Sequence, residues 1–156
     1  MEGRKYFLSR KWFRTFYTVT DESGKVYCHI KRRGFLVYEI YLYDVNGEKM
    51  VTAFQEEADL ASYTFFGQDG YICKLVSDMF VTKYSLRFPD GRLISVPSMV
   101  GWVPDDLPFV EDGLVLAKAK PLSQFYNKME LTVGEGKDSY LFLAVVVAIV
   151  SGKGVR

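Results

Sequence analysis

Hydrophobic and polar positions follow two rules along this chain. From near the start to about residue 133 the dominant rule is alternation. In residues 25–31, Val26, Cys28 and Ile30 fall on one side, and Lys25, Tyr27, His29 and Lys31 on the other. In 35–44, Leu36, Tyr38, Ile40 and Leu42 share a side. In 83–88, Tyr84, Leu86 and Phe88 oppose Lys83, Ser85 and Arg87. In 124–133, Phe125, Met129, Leu131 and Val133 oppose Gln124, Tyr126, Lys128, Glu130 and Thr132. A period of two with one apolar side predicts strands that bury one face. Weaker strands are expected near 14–20, 49–55, 62–66, 71–76, 93–96 and 114–120. Residues 55–61 read as a helical turn, and 103–112, with Pro104 and Pro108, as the longest irregular loop.

Turns punctuate the strands at a regular interval. Gly24, Gly47, Gly70, Gly91, Gly113 and Gly136 are 23, 23, 21, 22 and 23 residues apart, most of them following Asp or Asn directly or closely. Asp-Gly and Asn-Gly favour tight hairpins because glycine takes positive φ without steric cost. Each interval holds two strands, so a meander of roughly a dozen antiparallel strands is expected.

The second rule applies from Asp138 to Ser151, where the sequence DSYLFLAVVVAIVS has no charge after Asp138 and no polar side chain between Tyr140 and Ser151. Residues 140–150 would span roughly 16 Å as a helix, too short for a bilayer that needs ~20 apolar residues. Asp138 or Ser139 offers an N-cap, and Gly152 with Lys153 a helix stop. A helix is the preferred reading; a long core strand and a marginal tail anchor are the alternatives. A helix apolar on every side must be buried on every side. About a dozen strands close into a barrel too wide for strand side chains alone to fill, and a helix is ~10–12 Å across. The chain is therefore expected to form one mainly β domain over 1–156, a closed antiparallel barrel around its hydrophobic C-terminal helix.

Charge changes the picture locally. The chain of 156 residues carries a net +1, yet residues 1–34 carry +6 and the remainder −5. Arg10, Lys11 and Arg14, with Lys31, Arg32 and Arg33, are the candidate anion-binding residues, and a solvated basic face is the plainer alternative. Trp12, Phe13 and Trp102 are candidates for insertion at a membrane interface, where amphipathic rings settle; packing at the barrel end is the alternative for the two tryptophans. Cys28 and Cys73 have no metal-ligand spacing, so no metal is expected. They fit a reducing compartment, with a single disulfide as the alternative. The N-terminal residues lack the apolar core of a secretory signal, and the expected location is cytoplasmic, with peripheral membrane attachment if the basic residues serve that end.

Catalytic signals are weak. His29 is the single histidine, on the polar side of its strand. Glu56-Glu57 and Asp105-Asp106 sit in turn-like stretches, and a Ca²⁺ loop of Asp105, Asp106, Glu111 and Asp112 does not have EF-hand spacing. No phosphate loop or dinucleotide fingerprint occurs. The expectation is a binding domain without enzymatic activity or cofactor. It would bind anionic lipid; a soluble protein-interaction or structural domain is the alternative. Near-zero net charge and the absence of a motif argue against nucleic acid.

Three stretches, YTVTDESGKVYCHI (17–30), YDVNGEKM (43–50) and DSYLFLAVVVAIV (138–150), resemble the LURP-one-related family, which is grouped with phospholipid scramblases and the tubby C-terminal domain. The resemblance runs over nearly the whole chain. It implies a 12-stranded barrel enclosing a central C-terminal helix. It also implies a link to membranes, since tubby domains bind phosphoinositides and scramblases act on bilayers. No tubby phosphoinositide motif can be matched residue by residue. Where many relatives carry an Asp after the helix, this chain has Ser151 and Gly152, so no metal site is carried over.

Overall fold

The computed structural model describes residues 2–11, 14–56, 62–77, 83–97, 106–123 and 127–153. It contains twelve strands and one helix: β1 (Arg4–Ser9), β2 (Phe16–Asp21), β3 (Val26–Arg33), β4 (Glu39–Asp44), β5 (Lys49–Gln55), β6 (Tyr63–Gly67), β7 (Gly70–Ser77), β8 (Lys83–Arg87), β9 (Leu93–Pro97), β10 (Leu107–Glu111), β11 (Leu114–Pro121), β12 (Lys128–Val133) and α1 (Ser139–Lys153). Every strand pairs antiparallel with its sequence neighbours, and β1 pairs with β12, from Arg4 opposite Val133 to Ser9 opposite Lys128, to close the barrel. The expected fold class is the observed one.

The recurrent turns make the hairpins. Asp21 Oδ1 accepts the N–H groups of Ser23 (2.9 Å) and Lys25 (3.1 Å), and Asp44 Oδ1 those of Asn46 and Glu48 (both 2.9 Å). Gly24 (φ 85°) and Gly47 (φ 82°) then take the left-handed conformation that reverses the chain. Register shifts just before these turns, at Val19/Thr20 and Leu42/Tyr43, mark bulges that increase local twist and help a sheet curl shut.

The alternating side chains point inward and meet the helix in one continuous apolar core. Asp138 caps α1, its Oδ1 accepting Leu141 N–H at 3.2 Å. Every side chain from Leu141 to Ser151 is at most 5% exposed, so the helix has no wet side. Phe142 meets Phe109 of β10 at 5.1 Å between ring centroids, and Tyr140 stacks on Tyr27 of β3 at 5.0 Å. The Ser139 hydroxyl pairs with Tyr6 OH of β1 at 3.0 Å, and Ser151 Oγ donates to Val147 C=O at 2.6 Å, so both buried hydroxyls are satisfied. Among the described residues no helix is long and apolar enough to cross a membrane.

Two expectations are corrected and one strand is added. Leu36 does not face the core: β4 starts at Glu39, and Phe35, Leu36 and Val37 lie in the preceding loop. Residues 107–111, read as irregular, form β10. The strand β1, for which no pattern stood out, completes the closure. The predicted helical turn at 55–61 lies largely outside the described residues; Gln55 itself ends β5.

Candidate anion-binding surface

An up-and-down barrel has two ends. The short turns at 21–25, 44–48, 67–70, 88–92, 111–114 and 134–138 all lie at one end, where α1 enters. They carry ten acidic side chains and three basic ones. The longer connections and the C-terminal end of α1 lie at the opposite end, and so do all six basic candidates.

Three of the six share one depression. Arg10, Lys11 and Arg14 line a surface hollow of ≈ 500 Å³ with Ser9, Phe16, Thr18 and Lys128. Among the described residues four cations and two hydroxyls face it, and no carboxylate does. Arg10 Nε donates to Tyr17 OH at 3.2 Å, anchoring the arginine on the barrel rim. Burial pushes the Tyr17 phenol up, against the pull of the Arg10 charge, so the hydroxyl stays neutral. Arg10 N–H donates to Asn127 C=O and Arg14 N–H to Lys11 C=O, both at 2.9 Å, which fixes the backbone under the cations.

The other three divide by strand phase. Lys31 and Arg33 face outward and are exposed on β3, and Lys31 stands opposite Phe16 on the hollow's edge. Arg32 N–H donates to Thr15 C=O at 2.9 Å, so the same antiparallel register brings Arg14 toward Arg33. Arg32 itself turns the other way: its guanidinium lies 4.6 Å over the Tyr38 ring, and its Nε is buried without a hydrogen-bond partner. It packs at the barrel mouth and does not join the outward group. Trp12, Phe13 and Trp102 lie outside the described residues. Lys128 was missed by sequence reasoning because it is far from Arg14 in the chain; only the β1–β12 closure, with Ser9 opposite Lys128, brings it in.

The remaining chemistry-bearing residues are elsewhere. His29 stacks on Phe16 at 5.2 Å, outside the barrel. Cys28 and Cys73 are buried and unpaired, and burial pushes both thiols up to about 12, leaving neither activated as a nucleophile. Among the described residues no group of three or more His, Cys, Asp or Glu side chains is placed to hold a metal ion. Of the proposed Ca²⁺ loop, Asp105 is outside the described residues, Asp106 pairs with Lys118 at 2.9 Å, and Glu111 binds Arg92 at 2.8 Å and 3.0 Å.

No family model and no curated protein matches this chain. Among solved structures, an X-ray structure of a protein from Arabidopsis thaliana is similar over 96% of this chain and 90% of its own, with a TM-score of 0.68 and 16% sequence identity. At 16% identity the likeness shows a shared fold and nothing finer.

Proposed function

We propose that this chain is a LURP-one-related domain that attaches peripherally to anionic phospholipid, phosphoinositides included, through the long-loop end of its barrel. The observation that carries the reading is the hollow ringed by Arg10, Lys11, Arg14 and Lys128 with, among the described residues, no acid on its wall. Such a site suits a phosphate-bearing headgroup, and the outward Lys31 and Arg33 extend the positive surface around it. The acidic turns at the opposite end would orient the molecule as it approaches a negative surface.

The test is co-sedimentation with neutral and anionic vesicles at low and high salt. Lys11, Arg14 and Lys128 are exposed, so their replacement by alanine leaves the barrel core intact. At ~1 kcal/mol for each basic residue near an anionic surface, the triple variant should lose ~3 kcal/mol, a drop of about 150-fold. Unchanged binding by the variant would reject the site, and no binding by the parent protein at low salt would reject the function. Arg32 is a poor test because its replacement disturbs the packing on Tyr38.

A second reading, protein interaction, rests on a different surface. Tyr43, Tyr41, Phe54, Phe66 and Tyr71 form a row of ring contacts, 5.9–6.5 Å apart, across the outer face of β4–β7. Aromatic side chains so displayed suit a protein partner. Specific capture of a protein by the parent chain, lost when Phe54 is replaced by serine, would favour this reading.

A further inference from the structure

We infer that the β3–β4 loop is a bilayer-insertion element, its occupant the headgroup–acyl boundary of an anionic membrane. The inference rests on the lipid reading above and assigns the part of the surface that would enter the membrane.

Phe35, Leu36 and Val37 are 89%, 71% and 40% exposed. Single exposed apolar residues are ordinary, but three in succession at one tip are not. The tip is also held rigidly. Gly34 has φ +106°, and a Cβ there would come 2.1 Å from the Val37 carbonyl oxygen, so the loop folds tightly back on glycine alone. At its base, Tyr38 N–H donates to Gln55 Oε1 at 2.9 Å, and Gln55 N–H donates to Tyr38 C=O at 3.0 Å. The Arg32 guanidinium covers the Tyr38 ring from the barrel mouth. Three contacts thus clamp the foot of a loop whose apolar crown touches water.

Charge identifies the occupant. The crown directly follows Lys31, Arg32 and Arg33, and the Thr15–Arg32 backbone bond joins it to the Arg14 side of the basic hollow. An exposed apolar tip reached through the cations of β3, with Glu39 opposite Arg33 as the acid on its other side, matches a bilayer, where acyl chains lie just beneath anionic headgroups. The cations would hold phosphates while Phe35 and Leu36 reach below them. Arg32 packed against Tyr38 then has a role the sequence alone obscured: it stiffens the loop.

The experiment uses the full chain with Leu36→Cys, labelled with the fluorophore NBD; both native thiols are buried, so the label goes to one place. Added anionic vesicles should shift its emission to the blue, and lipids carrying a shallow spin label should quench it. Separately, Phe35→Ser with Leu36→Ser should lower vesicle affinity about tenfold or more, while leaving the salt dependence and melting temperature as in the parent. The Lys11, Arg14 and Lys128 variant should instead flatten the salt dependence. If the parent binds anionic vesicles but the label stays in water and the double serine variant binds equally, the loop assignment is overturned and the lipid reading survives. If the parent binds no vesicles, both fall. A blue shift that grows with protein concentration without vesicles would mark self-association and also overturn it.

Discussion

An enclosed helix should be sensitive to substitution in every direction. Val145, Val146, Val147 and Ala148 are consecutive and fully buried, and at about 100° per residue they point around the whole circumference of α1. Val→Ala at each of the first three removes two methyl groups, worth about 1.6 kcal/mol in transfer free energy. A cavity penalty adds to that, and the higher helix propensity of alanine returns up to about 0.7 kcal/mol. The net expectation is a loss of about 1–3 kcal/mol each. Ala148→Leu pushes extra carbons into a close-packed core and should cost about 1–3 kcal/mol by the opposite route. For a chain of this size each kcal/mol lowers Tm by about 2–4 °C. Urea and thermal unfolding followed by circular dichroism would read all four variants. In an amphipathic helix resting on a sheet, one or two of the four positions would face water and change stability by less than about 0.5 kcal/mol. One such neutral position here would show that the helix has an open flank and refute the enclosed-core account.

The helix cap is a separate check: Asp138→Ala should lose about 1 kcal/mol, while Asp138→Asn, which keeps an acceptor for Leu141 N–H, should lose much less in the same unfolding assay. Alkaline pH should weaken the fold. Burial raises the Cys28 and Cys73 thiols to about 12, so the unfolded chain ionises first and stability falls from about pH 9 toward 12, by up to ~1.4 kcal/mol per pH unit per thiol. A Cys28→Ala, Cys73→Ala variant should show a shallower fall in denaturant midpoint over that range, and an unchanged slope would mean the thiols ionise freely in the fold. Arg92→Ala removes the bidentate pair with Glu111 on an exposed turn and should cost less than about 1 kcal/mol, measured as a shift in urea midpoint.

What was legible in the sequence was local. Asp-Gly turns announce themselves because their backbone needs glycine, and the strands between them alternate because one face is buried. The helix was legible from length and uniform apolarity. What escaped depends on distant partners. In β1 only Tyr6 and Leu8 turn inward, with apolar Phe7 between them, too short and blurred a pattern to stand out, and its pairing with β12 is invisible until the barrel closes. In β10, Pro108 reads as a loop signal. It is tolerated where strand pairing is thin: among the described residues β10 meets β9 at the single pair Val110 and Ser95. Leu36 was misplaced because alternation continues through 35–38, while the tight turn at Gly34 lifts those residues away from the sheet. Of the basic candidates, Arg32 was lost to strand phase and Lys128 gained by closure.

The same geometry explains how a chain of net charge +1 acquires two unlike ends. In an up-and-down barrel every second connection lies on the same side, so whatever residue the tight turns require is gathered there six times over. These turns use Asp, whose carboxylate accepts backbone N–H groups two and four residues on, and acidity at that end follows from turn chemistry. The helix enters at this end with its partly positive N-terminus among carboxylates, a favourable pairing. The six basic candidates lie at the other end, beside the helix C-terminus, where cations are again favoured, although Glu39 and Glu56 lie at that end too. That contrast has a consequence at an anionic surface. Attraction acts over a Debye length of about 8 Å at physiological ionic strength, so only the end that leads feels it strongly. In the proposed attachment, the end that is attracted also presents Phe35 and Leu36, and the approach that would bring phosphate to the basic hollow would bring these apolar side chains to the bilayer boundary.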